Sequence, residues 1–210
     1  MWARGPKRLF DVLVGLLLLI STFPFVVVAI GVIGLTSPGP VFFRQTRTGR
    51  HGLTFRPWKL RTMRAGRRPD PDEIVTTAHP DVTPVTRILR RLRVDELPQL
   101  INVLTGDMSL VGPRPTLPEQ TAAYDEFQRL RLLVRPGITG LAQVNGNTTI
   151  PWEERIKYDV HYVRHHDLWM DVGILFKTFA AVFDESRSAG KFEDSRYGRL
   201  KNVNDVRDAG

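Results

Sequence analysis

From Val12 to Phe43 this chain carries no charged residue. Residues 12–35 read VLVGLLLLISTFPFVVVAIGVIGL. About 20 apolar residues suffice to cross a bilayer, so this segment is long enough to enter one. Two features weigh against a simple crossing. Pro24 sits at the midpoint and has no N–H to give, which predicts a break or kink. Basic residues also flank both ends: Arg4, Lys7 and Arg8 before, Arg44, Arg47 and Arg50 after. The positive-inside rule assigns each of those ends to the cytoplasm. A helix that dips into one leaflet, breaks near Pro24 and returns satisfies both ends. A straight anchor stays open, because proline is tolerated in membrane helices. A cleaved signal peptide fits less well: the run exceeds the roughly 7–15 residues of an h-region, and no A-x-A-like site follows.

The rest of the chain has room for one domain with a real core, and hardly for two. Its charge is uneven. Residues 44–94 carry thirteen Lys and Arg against four Asp and Glu, whereas residues 95–210 carry fourteen against seventeen. A basic block directly after a membrane segment points to phosphate: anionic headgroups, a phosphorylated substrate or nucleic acid. There is no cysteine, which excludes disulfides and thiolate metal sites and fits a reducing cytoplasm.

Pattern and punctuation give the coarse layout. Lys7 to Leu35 is expected to be helical on both sides of Pro24, and Ser37-Pro38-Gly39-Pro40 ends it. Val41 to Arg47, the turn Thr48 to Gly52, and Leu53 to Met63 read as a small β-hairpin. Residues 64–84 are polar and Pro/Asp-rich and read as a flexible loop. Thr86 to Leu104 has helical spacing, with Pro98 predicting two pieces or a kink. Leu110 to Leu117 is a rigid proline-rich loop. Glu119 to Leu133 reads as an amphipathic helix, and Arg135 to Gly146 as loop, turn and short strand. Pro151 to Phe183 is mostly helical and carries Trp152, Tyr158, Tyr162 and Trp169, which suit a membrane interface or a packed core. The tail from Asp184 is polar.

Four constellations could carry chemistry. Asp95-Glu96 follows Arg87, Arg90, Arg91 and Arg93. Carboxylates beside guanidinium groups stay ionised, and an ionised carboxylate can bind Mg²⁺ or attack phosphorus. The same string could be surface ion pairs on a helix. Arg114 lies between Pro113 and Pro115, which lowers the entropy lost when it meets a phosphate. It could equally be a solvated turn residue. Lys59 and Arg61, beside Trp58, could reach phosphates or form a plain basic strand face. Gly137, Gly140 and Gly146 suggest a loop approached closely by a ligand or by other backbone. His161, His165 and His166 lack an HExxH pattern and read as a solvated or interfacial face rather than a metal site.

Taken together the strings resemble the monotopic phosphoglycosyl transferases, the bacterial sugar transferase family of initiating enzymes. The matching strings are KRLFD (7–11), SPGPVFFRQTRTG (37–49), WKLRTM (58–63), RVDELPQLINVLTGDMSLVGPRP (93–115) and RPGITGLAQVNG (135–146). The resemblance implies transfer of a sugar 1-phosphate from a UDP-sugar to a membrane polyprenyl phosphate such as undecaprenyl phosphate, with release of UMP. It implies that Asp95 is the nucleophile of a phosphosugar–aspartyl intermediate. Glu96 would assist with metal or proton, and Mg²⁺ would be held by Asp95 and Glu96. Arg90 and Arg114 would bind phosphate; with Lys59 and Arg61, taken from the residue reading above, they make up the expected substrate-binding set. Family members often carry Ser-Pro at the helix break. Here Phe23 precedes Pro24, and Ser21, one turn back with Thr22, could back-bond to a carbonyl freed by the proline.

The expected fold is therefore α+β and monotopic. A broken re-entrant helix spans 1–36, an interfacial catalytic domain with a small hairpin and several amphipathic helices spans 37–183, and a polar tail spans 184–210. The expected partners are UDP-sugar, polyprenyl phosphate and membrane phospholipid, with no nucleic acid and with a homodimer left open. The expected place is the cytoplasmic face of a bacterial inner membrane, at the first membrane step of a glycoconjugate or exopolysaccharide pathway. The reading from another class is a non-catalytic basic adaptor that binds anionic lipid and a partner protein.

Overall fold

A computed structural model describes residues 5–64, 81–146 and 149–183. It is mostly helical, with small two-stranded sheets. Helix α1 (Pro6–Thr36) is long and apolar enough to cross a membrane. It runs through Pro24 as one helix, so of the break or kink expected there the break is absent. The Ser21 and Thr22 hydroxyls both donate to the Leu18 carbonyl, at 3.1 and 2.6 Å. The carbonyl that Pro24 deprives of a donor is instead that of Ile20, one turn back.

Both ends of α1 pack on the rest of the chain. Near the start, Phe10, Val14, Leu18 and Leu19 join a core of Leu100, Val103, Met108, Leu110 and Tyr162. Near the end, Ala29 and Ile33 close a second cluster with Leu60, against which Val41, Leu89 and Val94 pack. Between them Ile20, Phe23, Phe25, Val27 and Val28 are exposed. Five carbon-rich side chains left bare along one short stretch forfeit several kcal/mol of burial in water, at about 1.5–3 kcal/mol each.

The hairpin is present. Strands β1 (Phe42–Phe43) and β4 (Lys59–Leu60) pair antiparallel, as do β2 (Arg47–Thr48) and β3 (Thr54–Phe55). Every pair in both ladders is symmetric about His51, which takes a left-handed φ of 57° at the turn. Of the loop expected over 64–84, residues 65–80 lie outside the described residues; Met63 and Val82 bridge on either side of them, and Pro84 already begins the next helix.

Helix α2 (Pro84–Arg91) starts on Thr83, whose side chain accepts from the Thr86 N–H, with Pro84 in the first turn. The helical run then breaks at Arg93, which has φ 55°, and not at Pro98. A 3₁₀ helix follows (Val94–Gln99), leading into α3 (Leu100–Thr105). Pro98 sits inside this 3₁₀ helix, near the start of the new helical run, where a missing N–H costs little.

Strand β5 (Ser109–Val111) was not expected. It pairs in parallel with β6 (Gly137–Thr139). A Cβ on Gly112 or Gly137 would collide with the other segment's backbone, so these glycines serve close backbone approach. The single helix expected over Glu119–Leu133 is divided into α4 (Pro118–Ala122), α5 (Glu126–Arg129) and a 3₁₀ turn (Leu130–Leu133). Asp125 restarts it with a capping box: its carboxylate accepts from the Gln128 N–H at 2.7 Å, and Gln128 reaches back at 3.2 Å.

After α6 (Leu141–Val144), helices α7 (Trp152–His165) and α8 (Leu168–Phe183) close the chain. Tyr162 is buried core, whereas Trp169, Val172, Phe176 and Phe179 are exposed. Their spacing places them on one face of α8. The helix thus packs on one side and leaves an apolar stripe on the other. The tail from 184 lies outside the described residues.

Candidate active site

The left-handed turn at Arg93 reverses the chain before the 3₁₀ helix begins. It delivers Asp95 and Glu96 into the interior, where they are 3 % and 7 % exposed. Val94, the residue before Asp95, packs on the Ala29–Ile33–Leu60 cluster. The carboxylate pair therefore sits beside the far end of the apolar helix.

Strand β4 supplies the first cation. Asn102 fixes this strand by accepting from the Trp58 N–H at 2.8 Å and donating to the Arg56 carbonyl at 3.3 Å. The Lys59 ammonium then lies 3.0 Å from Glu96 Oε1 and 3.3 Å from Asp95 Oδ2. Arg114 supplies the second, with Nη2 donating to Glu96 Oε1 at 3.0 Å. Arg93 lies 3.9 Å from Glu96 Oε2. Arg90 on α2 is near enough for its charge to act on Asp95.

Electrostatics separates the two carboxyls. Burial pushes Asp95 up, and the neighbouring Glu96 charge adds to that; Lys59 and Arg90 oppose it without overcoming it. Burial would raise Glu96 too, but Arg114, Lys59 and Arg93 together hold it well below the usual carboxylate range. Glu96 is thus a firmly ionised anchor for cations, and Asp95 is the less compensated, higher-energy anion.

The structure brings Asp95, Glu96, Lys59 and Arg114 together, with Arg90 at the margin. It does not bring Arg61. That guanidinium is buried against the exit of α1, donating to the Pro38 carbonyl at 2.7 Å and the Ser37 carbonyl at 2.6 Å. Ser21 and Pro24 lie in the exposed middle of α1. Sequence reasoning named Arg93 among the arginines beside the carboxylate pair without assigning it to the site, and took Arg47 only as a charge flanking the apolar segment. Burial and the Arg114 charge pull Arg47 down to about 10, although Glu96 opposes this, so it remains a cation at neutral pH. The signal for Arg93 was its i, i+3 spacing to Glu96. His161 and His165 stack with ring centroids 4.4 Å apart on α7, and no cluster of three or more metal-type ligands occurs among the described residues.

Chemically, one carboxylate is free to act as nucleophile or ligand while the other gathers positive charge. Half of Arg114 and of Arg93 is open, with side chains 46 % and 47 % exposed. These cations can therefore turn from Glu96 to an incoming phosphate without being dug out of a core.

The profile of the bacterial sugar transferases matches residues 2–185. The uncharacterized sugar transferase EpsL of Bacillus subtilis is 43 % identical over 180 residues, covering 84 % of this chain and 86 % of that protein. A UDP-glucose:undecaprenyl-phosphate glucose-1-phosphate transferase of Caulobacter vibrioides is 43 % identical over 190 residues, covering 84 % and 69 %. A UDP-N-acetylgalactosamine-undecaprenyl-phosphate N-acetylgalactosaminephosphotransferase of Aeromonas hydrophila is 40 % identical over 185 residues, covering 84 % and 43 %.

Proposed function

The chain belongs to the bacterial sugar transferase family, and from that premise we propose that it transfers a sugar 1-phosphate from a UDP-sugar to undecaprenyl phosphate. UMP is released, and the product starts an exopolysaccharide or glycoconjugate. The observation that carries this reading is the placing of Asp95 and Glu96. An anionic pair clamped by Lys59 and Arg114 lies one residue from the contact with the apolar helix. A phosphate donor from water and a phosphate acceptor from lipid can meet only at such a junction.

In this reading an Asp95 carboxylate oxygen attacks the sugar-bearing phosphorus of the donor. The bond from that phosphorus to the bridging oxygen breaks, and UMP leaves with the electron pair. An oxygen of undecaprenyl phosphate then attacks the same phosphorus and frees Asp95. Lys59 and Arg114 hold phosphoryl oxygens, so a negative nucleophile can approach a negative diphosphate. Adjacent carboxylates are hard oxygen ligands of the kind Mg²⁺ uses alongside substrate phosphates. Asp95 and Glu96 are the residues that would hold such an ion. The ion would supply further charge neutralisation on the diphosphate.

We further read the chain as monotopic, on the cytoplasmic face. A straight helix the length of α1 would measure about 46 Å, yet both of its ends are fastened to one domain while its middle is bare and apolar. The exposed stripe of α8 adds a second apolar surface. Because there is no native cysteine, single cysteines at Gly5 and Arg50 can report this topology. Both should resist an impermeant maleimide in intact cells, and labelling of only one there would overturn the dip.

The activity itself is tested by UMP release. Solubilised protein with undecaprenyl phosphate, Mg²⁺ and a panel of UDP-sugars should release UMP from at least one donor. Binding to anionic vesicles with no UMP from any donor would favour the adaptor instead.

A further inference from the structure

Arg131, in the 3₁₀ turn Leu130–Leu133, is a buried cation that the chemistry above does not use. Its Nη2 donates to Asp159 Oδ2 on α7 at 2.5 Å and to the Arg114 carbonyl oxygen at 3.0 Å. Its Nη1 donates to the Tyr124 hydroxyl at 2.5 Å, and that hydroxyl lies 2.8 Å from Thr116 Oγ1. One guanidinium thus grips the Pro113–Thr116 loop twice, directly and through Tyr124.

The loop explains why such a grip matters. Pro113 and Pro115 fix their own φ angles but bring no N–H with which to tie the loop down. Two peptide planes flank the Arg114 Cα. The plane before it is held at the Pro113 carbonyl by the Gly137 N–H, at 3.0 Å. The plane after it is held at the Arg114 carbonyl by Arg131. Beyond, the Thr116 carbonyl accepts from the Thr48 N–H at 2.9 Å. Of these three anchors, only the middle one is a side chain, and it rests on the carboxylate of Asp159. With both planes fixed, the Arg114 side chain leaves the backbone in the direction that brings Nη2 to Glu96.

We propose that Arg131, held by Asp159, is a positioning residue that orients the Pro113–Thr116 loop and thereby aims Arg114 at the donor diphosphate. This rests on the donor-binding role read for Arg114 above. A lysine at 131 keeps the charge opposite Asp159 but loses the fork that reaches Tyr124 and the Arg114 carbonyl together. The charge pair can therefore be separated from the two-armed grip on the loop.

The test measures UDP affinity by titration calorimetry, with Mg²⁺ present, on the full chain in detergent. UDP is common to every candidate donor, so the sugar need not be known. Four proteins are compared: wild type, Arg131→Lys, Arg114→Ala and the double variant. Arg131→Lys should weaken UDP binding about as much as Arg114→Ala, about fivefold or more, and the double variant should be no worse than either single. Asp159→Asn keeps Arg131 in place but loosens it. It should give a smaller loss that also vanishes in the Arg114→Ala background, and it serves if Arg131→Lys does not fold. Independent, multiplying losses would show that Arg131 acts only on the fold and would overturn the proposal. So would unchanged UDP binding by Arg131→Lys when Arg114→Ala binds poorly; that result leaves the donor role of Arg114 standing. Absence of UDP binding by the wild type would instead remove the donor reading, and the positioning role with it.

Discussion

Two charge clusters sit at opposite ends of α1, and in both a pair of buried carboxylates meets a lysine. At the start of the helix, the Lys7 ammonium lies 2.7 Å from Asp171 and 3.8 Å from Asp11, with the side chains of Lys7 and Asp171 11 % and 0 % exposed. Tyr162 donates to Asp171 at 2.6 Å, and Asp11 accepts from the Leu110 N–H at 3.1 Å. Burial and the Asp171 charge push the Tyr162 hydroxyl well above its usual range, so it stays protonated and serves as a donor. At the other end, Glu96 faces three cations, two of them half open to solvent, and Asp95 carries a charge that its surroundings only partly compensate. The first cluster is closed and its partners have nowhere else to turn. It fastens the membrane-type helix to α7, α8 and β5. The second is arranged to exchange partners. Closure is what a fastening needs, and an uncompensated anion beside movable cations is what phosphoryl transfer needs.

Substitutions should pull this contrast apart. Asp95→Asn keeps size and removes the anion, so UMP release should fall by more than about a hundredfold, or about 2.7 kcal/mol of barrier. Because the ionised Asp95 is disfavoured by burial, the thermal midpoint should stay level or rise. A clear drop in midpoint would mean that Asp95 fastens the fold. Asp171→Asn should do the reverse. It leaves the Lys7 charge buried without a full partner, costing about 3–5 kcal/mol of stability. A midpoint equal to wild type would show that this cluster is not a fastening. The triple replacement Lys7→Met, Asp171→Leu and Asp11→Asn should recover much of that loss, since apolar residues can replace a buried pair and no carboxylate is then left without its cation.

The smallest expected effect is a shift in pH dependence. Asp95 must be ionised to attack, so kcat/KM should fall on the acid side through its raised pKa. Burial raises that value, while Lys59 opposes the rise. Removing a positive neighbour makes the ionised form still less favourable. Lys59→Met should therefore move the acid limb to higher pH, read on the residual activity. No movement, or movement to lower pH, would separate Lys59 from Asp95.

Much of this was legible in the residues. Proline and glycine clusters marked the hairpin, and its pairs all centre on the expected turn. The site was legible only in pieces: Asp95-Glu96, Lys59 and Arg114 each had a bland alternative until their strings were taken together. What the chain order hid was distance. Arg61 has the same composition signal as Lys59, two residues away, and continued strand alternation would put both on one face, but β4 ends at Leu60 and Arg61 turns to the carbonyls at the exit of α1. The helix break at Arg93 depends on a left-handed arginine, which no spacing rule anticipates. The restart at Asp125 was readable as Asp-x-x-Gln, but the helical period runs straight through it. Strand β5 is three residues long and owes its partner to backbone contact at Gly112 and Gly137, which leaves no periodic trace.

The most direct test of the account is to look for the covalent intermediate. Wild-type protein is mixed with the UDP-sugar that supports UMP release, without lipid acceptor, quenched, digested and weighed by mass spectrometry. A sugar-phosphate mass should appear on the peptide that contains Asp95, disappear when undecaprenyl phosphate is added, and be absent from Asp95→Asn. UMP release without that adduct, or an adduct that persists in Asp95→Asn, would contradict the assignment of Asp95 as the nucleophile.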